Sequence, residues 1–163
     1  MNILALDCAT KTGWASLIGG QITSGVQDFT KKRGESNGMI FLRFNAWLKE
    51  LSQKNHGFAL QYEGADYHMF DVLAFEQAHH RGGAATEICV GMTAFVMKFA
   101  VEYGAEHMAV HTASIKKFAT EKGNASKEDM CYWFKKTIGH EPIDDNEADA
   151  MALLHFARKE LGI

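Results

Sequence analysis

The chain has 163 residues and a mass of 18.1 kDa, and 17 basic against 20 acidic side chains give a net charge of −3. A chain of this length buries about two-thirds of its unfolded surface in one core. Apolar residues at 47% and charged residues at 23% exclude a disordered chain. Three cysteines (Cys8, Cys89, Cys131) without a C-x-x-C, and a single proline, point to one reduced, cytoplasmic domain over 1–163 with no Pro-rich linker. The early Asp7 and Lys11 argue against a signal peptide. The longest mainly apolar stretch, Ile88 to Val101, is broken by Thr93 and Lys98 and is short for a membrane span.

In chain order, Ile3 to Leu6 is an apolar run ending at Asp7, and Trp14 to Ile18 is a second. Gly19-Gly20 reads as the turn of a hairpin whose other strand is Gln21 to Phe29. Lys31, Lys32 and Arg33 follow in a loop, and Ile40, Phe41, Phe44, Trp47, Leu48 and Leu51 mark an amphipathic helix over 37–54. Residues 55–70 mix aromatic and polar types without a period. Asp71 to Phe75 is a buried strand ending at Glu76, and His79-His80-Arg81-Gly82-Gly83 leads into a helix over 84–103. That helix carries Ile88, Met92, Phe95, Val96 and Phe99 on one stripe and is poor in charge elsewhere, so it is buried on more than one side. Met108 to His111 is a further strand and Ser114 to Thr120 a short helix. Ser126 with Asp129 forms a capping box for a helix ending at Ile138. A last helix runs from Asp145 to Leu161. Strands that begin as a hairpin group and then alternate with helices predict an α/β fold, a mixed sheet flanked by helices.

Three acids stand where apolar residues are expected. Asp7 and Glu76 each directly follow a buried run, and Asp149 shares a helix face with Leu153 and Phe156. Each alone is explained by a turn, a strand end or an exposed helix position. Together they suggest a site for a hard divalent cation, because buried carboxylates need a cation or a hydrogen-bond network.

These residues also carry a resemblance. Ile3 to Asp7 with Thr12-Gly13-Trp14-Ala15, Ala74-Phe75-Glu76-Gln77, Ile115 to Ala119 with Gly123 to Lys127, and Asn146-Glu147-Ala148-Asp149-Ala150 occur in that order along almost the whole chain. The ordered set resembles the RuvC-type Holliday-junction resolvases of the ribonuclease H-like superfamily, in particular phage-borne and divergent bacterial members. The resemblance implies a five-stranded mixed sheet, its first three strands antiparallel, with helices on both faces. The sequence departs from the family pattern in two places. Cys8-Ala9 follows the first aspartate where Pro-Gly is usual, and Asn146 stands where an acid or histidine is common.

What the resemblance implies is hydrolysis of DNA phosphodiesters at four-way junctions with two Mg²⁺ ions, for which Mn²⁺ substitutes. The implied metal set is Asp7, Glu76 and Asp149, completed by Asn146 or Asp145, and Asp145 is alternatively the cap of the last helix. The implied catalytic set is Asp7, Glu76, Asp149, Asn146 and Lys116. Lys116, Lys117, Lys122 and Lys127 in the matching segment, with Lys32, Arg33, His80 and Arg81 in loops, would contact DNA phosphates. Tyr67 and Phe70 would stack on unpaired bases, unless Phe70 packs in the core. A junction with two symmetric cleavage points suits a homodimer, for which Met92, Phe95 and Phe99 are candidate contacts. Burial of that helix within one subunit is the alternative. The alternative functions are a related nuclease acting on other branched DNA or RNA–DNA hybrids, and a junction-binding protein with weakened turnover.

Overall fold

The computed structural model describes residues 1–53, 70–77 and 82–163. The elements are β1 (Ile3–Asp7), β2 (Lys11–Ile18), β3 (Gln21–Asp28), α1 (Gly38–Gln53), β4 (Val72–Glu76), α2 (Ala84–Tyr103), β5 (Glu106–Val110), α3 (Thr112–Thr120), α4 (Lys127–Ile138) and α5 (Asp145–Glu160). The sheet has five strands in the order β3-β2-β1-β4-β5. β1, β2 and β3 pair antiparallel, while β1–β4 and β4–β5 pair parallel. The expected α/β fold with a mixed sheet and an antiparallel opening group is what forms.

Alternation along the strands divides the interior in two. Ile3 and Ala5 of β1, with Val72 and Ala74 of β4, pack against Ile115, Met130, Phe134 and Leu153 from α3, α4 and α5. Leu4, Leu6, Leu73 and Phe75 point the other way, against Phe44 and Leu48 of α1 and Met92, Val96 and Phe99 of α2. Because side chains on a strand alternate between its faces, the parity of each residue decides which core it enters. Asp7 continues the Ile3–Ala5 series and Glu76 the Val72–Ala74 series, so both acids are directed to the face that α5 covers.

The hairpin turns at Gly19 and Gly20, whose φ values of 56° and 84° lie in the left-handed region that glycine enters without cost. Ser126 Oγ accepts a hydrogen bond from the Asp129 amide and the Asp129 carboxylate accepts one from the Ser126 amide, which completes the capping box at α4. β5 and α3 each begin two residues before their expected starts. Glu106 pairs with Val72 and its amide donates to Asp71 O at 2.9 Å, so exposed residues join an edge strand that hydropathy does not mark.

α2 is long and apolar enough to cross a membrane on those criteria alone. Here one of its faces lies in the core, where Met92, Thr93, Val96, Phe99 and Ala100 are buried. This corrects the expected dimer contacts. Met92 and Phe99 are enclosed within their own chain, and Phe95 stacks on Phe41 with ring centroids 5.8 Å apart. The outward stripe is instead Val90, Ala94, Met97 and Val101. Phe70 is also buried, as the core alternative had it. Tyr67, His79, His80 and Arg81 lie outside the described residues.

Candidate metal centre

The parallel pairing of β1 with β4 fixes the first two acids. Leu6 is registered with Phe75, and the next residues along the two strands are Asp7 and Glu76. Neighbouring strands lie about 4.8 Å apart, so two carboxylates of the same parity emerge side by side at one end of the sheet. β2 runs antiparallel and brings Gly13 opposite Asp7. A Cβ at Gly13 would fall 1.9 Å from Asn146 O and 2.2 Å from its carbonyl carbon. The first turn of α5 thus rests on bare backbone, which draws Asp145, Asn146 and Asp149 down toward the two strand-end acids.

Asp144, not Asp145, caps α5, accepting from the Asn146 amide at 2.9 Å and the Glu147 amide at 3.1 Å. This corrects the alternative role given to Asp145, which forms an ion pair with Lys127. Asn146 donates its side-chain Nδ2 to Asp144 Oδ2 at 3.1 Å, so its side-chain Oδ1 is the atom suited to a cation. Glu147, which sequence reading passes over, is buried. It accepts from Ser24 Oγ at 2.7 Å and from the Ile143 amide at 2.6 Å, tying α5 to β3. Its only sequence signal is its place between acids already singled out.

The acids act on one another. Burial raises the Asp7 carboxyl well above the usual carboxylate range, and the charges of Glu76, Asp149, Asp145 and Asp144 raise it further. Asp149 is pushed up to about 7, first by burial and then by Glu76, while Lys116 and Lys127 pull it back. Asp149 Oδ1 is buried without a hydrogen-bond partner. The other such side-chain atoms among the described residues, His155 Nε2 and Arg158 Nε, lie further along α5. Among the described residues no three His, Cys, Asp or Glu side chains close into a metal cage. A closed cage is not what Mg²⁺ requires, since it keeps several waters and takes one or two carboxylates. Mutually repelling half-buried acids with an orphaned oxygen on α5 fit such an ion.

Lysines border this centre. Lys116 donates Nζ to Ala125 O at 2.8 Å, bridging α3 to the turn before α4. Lys127 is held protonated by its Asp145 partner and by the charges of Asp149 and Asp7. Lys117 and Lys122 are exposed nearby in sequence, Lys122 on a groove with Thr120, Asp129, Tyr132 and Lys136. Lys32 and Arg33 are exposed in the loop after β3, which leaves the same end of the sheet, where the Phe29 amide donates to Thr10 O at 2.8 Å. A cavity of ≈ 220 Å³ opens beside the strand ends, lined by Asp7, Cys8, Glu76, Gln77, Ala85, Thr86 and Cys89.

No protein-family model matches the chain, and no curated protein matches it in sequence. Solved structures match it in shape. The Thermus thermophilus RuvC structure superposes with a TM-score of 0.69 at 18% identity, covering 99% of this chain and 97% of that one. T. thermophilus RuvC in complex with Holliday junction substrate gives 0.69 at 17% identity, covering 98% and 96%. The yeast mitochondrial Holliday junction resolvase gives 0.55 at 12% identity, covering 93% of this chain and 75% of that one. Strand order, parity and superposition agree that the chain has the RuvC-type, ribonuclease H-like fold.

Proposed function

We propose that the chain is a structure-selective endodeoxyribonuclease that hydrolyses phosphodiester bonds at four-way DNA junctions with Mg²⁺, or Mn²⁺ in its place. The observation that carries this reading is that Asp7 and Glu76, of one parity on adjacent parallel strands, lie near enough to Asp149 of α5 for their charges to act on one another, and that the buried Oδ1 of Asp149 has no partner. The fold likeness to a resolvase bound to its junction supports the choice of substrate.

Asp7, Glu76 and Asp149 would hold the ions, with the side-chain Oδ1 of Asn146 as a neutral fourth ligand. Asp145 contributes less directly, because Lys127 engages its carboxylate. Bound divalent ions supply the positive charge that offsets a scissile phosphate and acidifies the attacking water. Lys116 and Lys127, fixed beside Asp149, orient that phosphate and offset charge developing on it. Lys117, Lys122, Lys32 and Arg33 extend the basic rim along which DNA backbone lies. The apolar stripe Val90, Ala94, Met97 and Val101 pairs two copies into the two-fold dimer that a symmetric junction needs.

The test is cleavage of a labelled four-way junction beside matched linear duplex and RNA–DNA hybrid, with and without Mg²⁺. Wild type cuts the junction selectively, and Asp7→Asn loses cleavage while keeping junction binding in a gel-shift assay. Cleavage retained by Asp7→Asn at ordinary Mg²⁺ refutes the metal assignment. Equal cutting of linear duplex refutes the junction.

A further inference from the structure

We infer that Thr112 is the positioning residue for Glu76, holding one carboxylate oxygen so that the other is presented to a divalent cation. The inference rests on the metal centre proposed above and adds a residue to it. Thr112 Oγ1 donates a hydrogen bond to Glu76 Oε1. The two come together through the sheet, for Glu76 ends β4 in register with Val110, the last residue of β5. The Gln77 amide donates to Val110 O at 2.8 Å and closes the ladder just past them. Two residues beyond Val110 the chain turns into α3, and Thr112 is its first residue.

That place matters chemically. Inside a helix a threonine hydroxyl bonds back to a carbonyl of the preceding turn, as Thr120 does to Lys116 O at 2.9 Å. At the first helical position no preceding turn exists, and the hydroxyl reaches across the sheet to Glu76. His111, the residue before it, makes no side-chain cap, so Thr112 is the hydroxyl that joins the start of α3 to the site. Both side chains are half-buried, so the bond is shielded without being sealed from solvent. A carboxylate that accepts at Oε1 keeps a fixed plane and offers Oε2. Outer-shell hydrogen bonds of this kind orient metal-binding carboxylates.

Direct binding of Mn²⁺ to the full chain, read by calorimetry and by loss of the free-ion EPR signal, tests this without DNA. Thr112→Val removes the hydroxyl at nearly constant shape and weakens Mn²⁺ binding about tenfold, at the lower end of outer-shell effects. Thr112→Ser restores the donor and binds within about twofold of wild type, a rescue that a packing role for the methyl group does not give. In a Glu76→Ala background, which removes both carboxylate oxygens, Thr112→Val adds no further loss, because its effect passes through that carboxylate. Thermal melting checks the fold, and Thr112→Ala is read in place of Thr112→Val if the latter does not fold. A folded, hydroxyl-free variant that binds Mn²⁺ like wild type overturns the role of Thr112 alone. Wild type that binds no Mn²⁺ overturns the metal centre beneath it.

Discussion

Asp149 titrates near neutrality because burial and the neighbouring Glu76 charge both oppose ionisation, and Lys116 and Lys127 offset them only in part. An unfolded aspartate titrates near about 3.9, so the folded carboxyl holds a proton that the unfolded chain has released. That difference contributes stability below the unfolded value, and the contribution is lost as pH rises from about 4 through the folded value of about 7. Asp7 is shifted in the same sense and adds to the trend. In chelator, the melting temperature of the wild type therefore falls as pH rises from about 6.5 to 8, above the range in which His155, whose pKa is lowered by burial, works in the opposite sense. Asp149→Asn flattens that fall and melts higher at pH 8, as scanning calorimetry at several pH values will show. A melting temperature rising over that range would contradict the placement of Asp149. These acids were legible in the sequence because each interrupts an apolar pattern. The helix cap was not, since Asp144 and Asp145 are adjacent acids and only backbone geometry shows which accepts from the Asn146 and Glu147 amides.

Among elements, the contact of α5 with β2 decides whether the acids meet. Gly13 allows the Asn146 carbonyl to lie where a Cβ would stand, and the obstacle is backbone, which cannot rotate aside. Gly13→Ala forces α5 away from the strand ends and costs about 3 kcal/mol, at the upper end of overpacking effects. Denaturant unfolding measures that loss, and Mn²⁺ titration of the folded fraction shows weakened binding beside it. Gly13 was visible in the sequence as part of a hairpin entry, but its tight approach to α5 joins residues far apart in the chain, which no local pattern encodes. Most element boundaries were legible because core periodicity and caps act locally. Tertiary pairing explains the early starts of β2 and β5, where Lys11 to Gly13 register with Asp28 to Val26, and Glu106 and His107 with Val72 and Leu73.

For the whole molecule, two cores on opposite faces of one sheet leave one side of α2 outside both, among the described residues. Val101 is 76% exposed, and Val90 and Met97 are partly so, at the spacing of one helix face. A charge in this stripe disturbs little inside the subunit but opposes burial against a second copy. Sedimentation should find wild type as a dimer, with Met97→Glu and Val101→Glu shifted to monomer at unchanged melting temperature. A wild-type monomer at micromolar concentration contradicts the proposed two-fold assembly. The sequence located this helix and its apolar character but left Met92 and Phe99 open between a dimer contact and the core, where they lie, because a helix apolar on several sides does not reveal its phase. Net charge was equally uninformative: the chain's −3 is an average over buried acids and a rim of lysines.

The Gly19-Gly20 turn lies at the far end of β2 from Gly13, about 20 Å along the strand at the usual rise per residue. Apart from the glycines and their chain neighbours, no atom of the described residues stands within 4 Å of where either glycine would carry a Cβ. A fluorophore or surface tether inserted there would grip the molecule by its chemically silent end. The acidic end would then face outward on a slide or bead, oriented for watching single events on an immobilised protein.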